Sequence, residues 1–241
     1  MIVDTEKIIA DTLEVFNKSP AQKKKFSEIT DYVSIEDYQA LHKNFLTPTT
    51  IKIDCDLFKN EIEQYQNYFE QWGTQHTHLP RYGLALVNQD GIIKPQDPIN
   101  GSLYEWNVRY PNNPIIESDC RKSTEVMMLE ALKPLAVFDN HWCRSNIFKW
   151  EESADFKPHI DTVVPSPWIR LWGTTDVDKV NVRFDNGHGE LVSAKGLESG
   201  RIYIIDTSLV HDAASIGTVY QFFLSVLPSA INILKDMSCP A

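Results

Sequence analysis

No stretch of this chain comes near the ~18 uninterrupted apolar residues that a membrane-spanning helix takes. Nor does it open on a basic-then-apolar leader, so the expectation is a cytoplasmic protein without a membrane partner. Cysteine pairs are missing as well. Cys55, Cys120, Cys143 and Cys239 stand far apart with no Cys-x-x-Cys spacing, which argues against a zinc framework, a disulfide framework and a dithiol redox motif. Positive charge is in short supply: 33 acidic against 23 basic side chains leave a formal net charge of -10. Such a surface repels phosphate backbones and anionic lipid, so nucleic acid is not an expected partner. The one basic run, Lys23-Lys24-Lys25, reads as a solvated helix face. Internal repeats and low-complexity linkers are also absent.

What is present suffices for a core. Hydrophobic residues make up 42% and aromatics 11% of 241 residues, which suits one compact unit. Residues 1–80 read as a helical layer. Ile9, Leu13 and Phe16 keep helical spacing, Ser34 and Asp37 resemble a capping box ahead of Tyr38, Leu41 and Phe45, and Phe58, Ile62, Tyr65, Phe69 and Trp72 form an apolar stripe ended by Gly73. From residue 81 to 241 the pattern becomes short apolar or alternating runs broken by Gly, Pro, Asn and Asp. Strands are expected over 82–87, 103–108, 146–150, 168–173, 180–184, 190–193, 201–205 and 219–227, with one helix over 125–132. The connections are too short for repeated helical crossovers, so the sheet should be mainly antiparallel. Closing such strands gives a double-stranded β-helix, a jelly roll of the cupin kind, behind N-terminal helices.

The chemistry-bearing stretch is Lys157-Pro158-His159-Ile160-Asp161-Thr162. In an extended chain, residues two apart point the same way, so the His159 imidazole and the Asp161 carboxylate converge and can grip a cation. Alone the pair is a weak signal. Further on, the apolar run Ile202-Tyr203-Ile204-Ile205 leads into Asp206-Thr207-Ser208-Leu209-Val210-His211, which presents His211 at a strand start. Two histidines and one carboxylate cover one face of an octahedral ion, suit Fe(II) and leave positions open. Zinc prefers a closed tetrahedral set, for which no fourth ligand is evident.

Over residues 143–228 the chain resembles the Fe(II)/2-oxoglutarate dioxygenases, within them the aspartyl/asparaginyl β-hydroxylase-like branch that also includes free-proline hydroxylases. The resemblance rests on Arg144-Ser145-Asn146-Ile147-Phe148-Lys149-Trp150, Pro158-His159-Ile160-Asp161, Ile169-Arg170-Leu171 and above all Asp206-x-Ser208-x-x-His211. It implies Fe(II) held by His159, Asp161 and His211, with 2-oxoglutarate and O2 as co-substrates. It further implies hydroxylation of an unactivated carbon in an amino acid or in a peptide or protein side chain. The far carboxylate of 2-oxoglutarate needs a cation, and Arg meets a carboxylate at two points. Where the family commonly places Arg or Lys after the second histidine, this chain has Gln221. Arg170, on the strand after His159 and Asp161, is then the expected anchor, Gln221 a neutral helper, and Arg183 and Arg201 less favoured substitutes. Arg144, Trp150 and Trp172 are candidates for the substrate pocket, beside Trp142 and Trp168.

Two rival readings remain open. One is a non-catalytic cupin-like module that binds metal or a small acid, favoured by Gln221; the other is an interaction protein whose barrel has lost the site. His76-Thr77-His78 keeps strand spacing but has no carboxylate near it in sequence, and with His141 and His188 it reads as structural or surface.

Overall fold

The computed structural model describes residues 2–17, 25, 27–72, 80–95, 97–161 and 164–238. Among the described residues twelve strands run in chain order as β1 (Leu46–Lys52), β2 (Glu70–Gln71), β3 (Arg81–Asn88), β4 (Lys122–Ser123), β5 (Ser145–Trp150), β6 (Asp155–His159), β7 (Ile169–Thr174), β8 (Val180–Asp185), β9 (Leu191–Ser193), β10 (Arg201–Ile205), β11 (His211–Ser215) and β12 (Val219–Val226). They form an eight-stranded sheet of order β1-β10-β7-β12-β5-β3-β2, with β4 on β3, and a four-stranded sheet of order β6-β11-β8-β9. Every pairing is antiparallel. From β5 onward the chain alternates between the two sheets, except at the β8–β9 pair, which is the winding of a double-stranded β-helix.

Strand alternation splits the apolar residues into two layers. Phe148, Trp150, Trp172, Tyr203 and Ile205 of the large sheet meet Val182, Phe184 and Ala213 of the small one inside the barrel. Their chain neighbours Ile147, Leu171, Ile204 and Phe222 face outward, under Phe58 and Ile62 of the helix Cys55–Ile62 and Leu132 and Leu135 of the helical turn Glu130–Phe138. Phe222 is wholly buried and meets Phe58 edge-on at 4.9 Å. Phe222→Ala leaves a cavity in this seam and should lower stability by about 3–5 kcal/mol. The check is the urea midpoint at unchanged slope; a loss under about 1 kcal/mol would mean the helices do not rely on that seam.

Three local expectations change. Residues 103–108 form part of a helix, Leu103–Arg109, rather than a strand. Leu103 and Trp106 pack at helical spacing against Ile99, Ile115 and Cys120, while the Asn107 amide exchanges hydrogen bonds with both backbone groups of Ile115. Inside the expected helical layer lies β1, paired to β10 at the end of the large sheet with a single bridge from Thr49 to Ser238 beyond it, an edge position that tolerates Pro48. The helix expected over 125–132 is two 3-10 segments, Glu125–Met128 and Glu130–Phe138, parted by extended Leu129, the second carrying Pro134 inside it.

The helix ahead of the barrel, Ile35–Leu41, is capped by the Ser34 hydroxyl, which accepts from the Asp37 N–H. The aromatic stripe stays helical only through Ile62, tightens over Glu63–Tyr68 and ends in β2, so that Trp72 swings into the barrel mouth. In the first helix, Thr5–Asn17, it is Ile8 that packs, against the layer of Ile160, Leu191 and Val210, while Ile9 is exposed. Among the described residues no helix is long and apolar enough to cross a membrane.

Candidate metal centre

The antiparallel pairing of β6 with β11 sets His159 directly opposite His211, so both imidazoles leave the same face of the small sheet. Asp161 lies two residues past the end of β6, and its N–H donates to the Thr207 carbonyl at 3.0 Å. That carbonyl is aimed by the Asp206 turn: Asp206 Oδ1 accepts from the Ser208 N–H at 3.1 Å, the Ser208 hydroxyl at 2.6 Å and the Tyr38 hydroxyl at 2.9 Å. The Asp-x-Ser spacing thus builds the loop that brings β11 and Asp161 together.

Three donor atoms, one from each of His159, Asp161 and His211, lie within 4.8 Å of one another, the one such group among the described residues. His159 Nε2 stands 3.2 Å from Asp161 Oδ1 and His211 Nε2 3.9 Å from Oδ2. Donors at right angles about 2.1 Å from a common ion are about 3 Å apart, so the group closes on a metal with small adjustments. On the far side of each ring, Nδ1–H donates to a backbone carbonyl two residues back, Lys157 at 2.7 Å and Leu209 at 2.9 Å. A carbonyl only accepts, so Nδ1 carries the proton and Nε2 keeps its lone pair for a cation. Burial, reinforced by His159, pushes the His211 imidazolium down to about 4, so this ring is neutral at neutral pH. Burial by itself would raise the Asp161 carboxyl, but His159, His211 and Arg170 outweigh it and hold the group well below the ordinary carboxylate range.

The three side chains open into a cavity of about 220 Å³ at the barrel mouth. Its wall follows the inward face of β5: Asn146, Phe148 and Trp150 line it at alternate positions, in phase with Arg144 just ahead of the strand. Trp172 lines it too, and so do Arg170 and the Glu117 carboxylate. The Arg170 guanidinium grips Glu117 through two bonds of 3.0 and 3.1 Å and also meets the Ser225 hydroxyl. Gln221 is fully buried without lining the cavity; its Oε1 accepts from Trp172 Nε1 at 2.9 Å. Arg183 pairs with Asp212 and Arg201 with Glu198, both away from the cavity. Trp142 and Trp168 do not line it. His141 meets the Ser229 hydroxyl, His188 is exposed in the turn after β8, and His76 and His78 lie outside the described residues.

Several cavity residues carried no expectation from the sequence, Arg81 foremost among them. Arg81, at the start of β3, is only 2% exposed, and its Nε and one Nη have no hydrogen-bond partner among the described residues. Its register opposite Trp150 turns it inward, over the Phe156 ring at 4.2 Å and near Trp150 at 5.9 Å. Burial pulls the guanidinium down to about 10, so it stays charged at neutral pH. A lone arginine opening an otherwise apolar strand run was the available signal. Trp72 and Glu117, also in the wall, offered none.

No protein-family model matches the chain, and no curated protein matches it in sequence. Solved structures similar in fold include a Pseudomonas putida prolyl-4-hydroxylase, with TM-score 0.44 and 6% identity over 80% of this chain and 97% of that one. An oxidoreductase of the 2OG-Fe(II) oxygenase family from Burkholderia pseudomallei has TM-score 0.39 and 8% identity, over 70% of this chain and 77% of that one. A recombinant oxalate oxidase in complex with glycolate has TM-score 0.32 and 12% identity over 66% of this chain; the match spans 56% of the oxidase. Likenesses of this size say nothing of chemistry, and function is read from the site's own atoms.

Proposed function

We propose that this chain is an Fe(II)- and 2-oxoglutarate-dependent oxygenase that hydroxylates an unactivated carbon of an amino acid or of a peptide side chain. The observation that carries the reading is the convergence of His159, Asp161 and His211 at the mouth of a jelly roll, in a cavity that also holds the Arg81 guanidinium, whose Nε and one Nη have no hydrogen-bond partner among the described residues. Two imidazoles and one carboxylate on one face suit Fe(II) and leave the opposite face for exchangeable ligands.

Arg81 supplies the cation that Gln221 lacks. A buried guanidinium with unpartnered N–H groups is costly until an anion reaches it, and a carboxylate fits its fork at two points. Phe156 lies between the two ends of the site, 4.2 Å from the Arg81 guanidinium and 4.1 Å ring to ring from His159. Arg81 is thus the residue that would hold the far carboxylate of a dicarboxylate whose other end was held at the metal group, with Phe156 between them. Arg170, the anchor expected from sequence, already has Glu117 as its acid.

When bound, iron and 2-oxoglutarate supply the oxidising power that places one oxygen atom of O2 on a substrate carbon and the other in succinate, with release of carbon dioxide. The protein's own part is placement. His159, Asp161 and His211 hold the ion, the backbone carbonyls of Lys157 and Leu209 keep both rings aimed, and Phe148, Trp150, Phe156 and Trp172 keep bulk water from the reacting face.

Anaerobic titration of the metal-free protein with Fe(II) and then 2-oxoglutarate should produce the weak visible charge-transfer band of the chelate, and His159→Ala should not. Iron uptake without the band replaces this reading with a metal-binding module that takes no 2-oxoglutarate.

A further inference from the structure

We infer that the second buried guanidinium of the cavity, Arg144, receives a carboxylate of the substrate, so that the enzyme acts on small carboxylic acids, free amino acids among them. This rests on the oxygenase reading above and assigns the end of the cavity that reading leaves unused.

The layout comes from β5. Arg144 precedes the strand and Trp150 ends it, so the two lie roughly 20 Å apart along an extended backbone. Arg81 sits opposite Trp150 at the far end. Phe156 links Arg81 to His159 on one side of the metal group. On the other side, Asp161 is under the charge of Arg170, which grips Glu117, and Arg144 is under the charge of both Glu117 and Arg170. The metal group is thus reached from two guanidiniums of one aromatic wall, Arg81 through Phe156 and His159, and Arg144 through Glu117, Arg170 and Asp161.

Arg144 is poised to bind rather than already satisfied. It is buried at 6% exposure, its Nε has no hydrogen-bond partner among the described residues, and one Nη donates to the Gly101 carbonyl. Its guanidinium rests 5.1 Å from the centre of the Trp72 ring. Glu117, the acid of the same wall, turns both oxygens to Arg170, and Arg144 has no ion pair among the described residues. A guanidinium held by one backbone carbonyl and one aromatic face still has N–H groups to offer an acid.

Charge points the same way. The cavity wall carries Arg81, Arg144 and Arg170 against Glu117 and Asp161, and Asp155 acts on Arg81 from outside the wall. Glu117 is taken by Arg170 and Asp155 lies at the Arg81 end, so a carboxylate arriving at the other end meets the Arg144 guanidinium, which has no ion pair among the described residues. A cationic substrate there would add like charge inside a low-dielectric pocket.

The test uses the full chain loaded with Fe(II) and 2-oxoglutarate without oxygen. The twenty free amino acids and a set of short monocarboxylates are titrated in, followed by calorimetry and by the shift of the chelate band. At least one acid should bind, its carboxamide at least tenfold more weakly. Arg144→Gln should weaken that acid at least tenfold while the 2-oxoglutarate band, which also reports that the variant is folded, stays as in wild type; Arg144→Lys should recover part of the affinity. Equal binding of acid and amide, equal binding by Arg144→Gln, or no binding by any acid tried overturns the inference. Absence of the band in wild type instead overturns the oxygenase reading beneath it.

Discussion

Fe(II) added without oxygen to the metal-free wild type raises its melting temperature, and Asp161→Ala removes that rise. At a free metal concentration about 100 times the dissociation constant, the native state gains about 2.7 kcal/mol. For a chain of this length that is a shift of roughly 5–11 °C. Asp161 is the only anionic donor of the group and contacts both histidines, 3.2 Å from His159 Nε2 and 3.9 Å from His211 Nε2. Without it, a neutral imidazole and its partner ring face the ion with no charge to offset it. An equal rise in wild type and variant would place the ion elsewhere.

Arg81→Met should raise the dissociation constant for 2-oxoglutarate by about 10- to 150-fold, the equivalent of losing a charge-assisted bond worth about 1.5–3 kcal/mol. Fe(II) affinity should stay as in wild type, since Arg81 touches no metal donor. The stability of the metal-free protein should hold or rise, because removing a buried unpaired cation in favour of an apolar side chain is often neutral or stabilising. Loss of stability with 2-oxoglutarate affinity retained would assign Arg81 to packing on Phe156 and Trp150 instead. Gln221→Ala is the matching control: its side chain does not line the cavity, and 2-oxoglutarate affinity should not change.

The histidines and Asp161 could be read together because each belongs to a short local pattern. His159 and Asp161 are two apart in an extended segment, and the Asp206-x-Ser208 turn has a local hydrogen-bond logic that sets up His211. The surroundings of Arg170 and Gln221 were not legible for the opposite reason. Nothing near Arg170 in sequence announces Glu117, and nothing near Gln221 announces the Trp172 indole that takes its oxygen. Each partner arrives through sheet packing or a distant loop. Arg81 was overlooked because the strand carrying it lies outside the eight that wind the barrel, and only its register with Trp150 turns it inward. The run 103–108 shows the limit of periodicity: its apolar spacing fits a strand as well as a helix, and Asn107 bonding to Ile115 decides for the helix.

By itself the sequence determined the class of fold and singled out His159, Asp161 and His211 as candidates for one group, because alternating apolar residues, turn residues and two-apart side chains are properties of a few consecutive positions. Tertiary structure alone decided which cations are free. Whether a guanidinium is available depends on the acid beside it: Arg170 has Glu117, while Arg81 and Arg144 form no ion pair among the described residues. Electrostatic pairing acts through space across strands far apart in the chain, and no local pattern carries it.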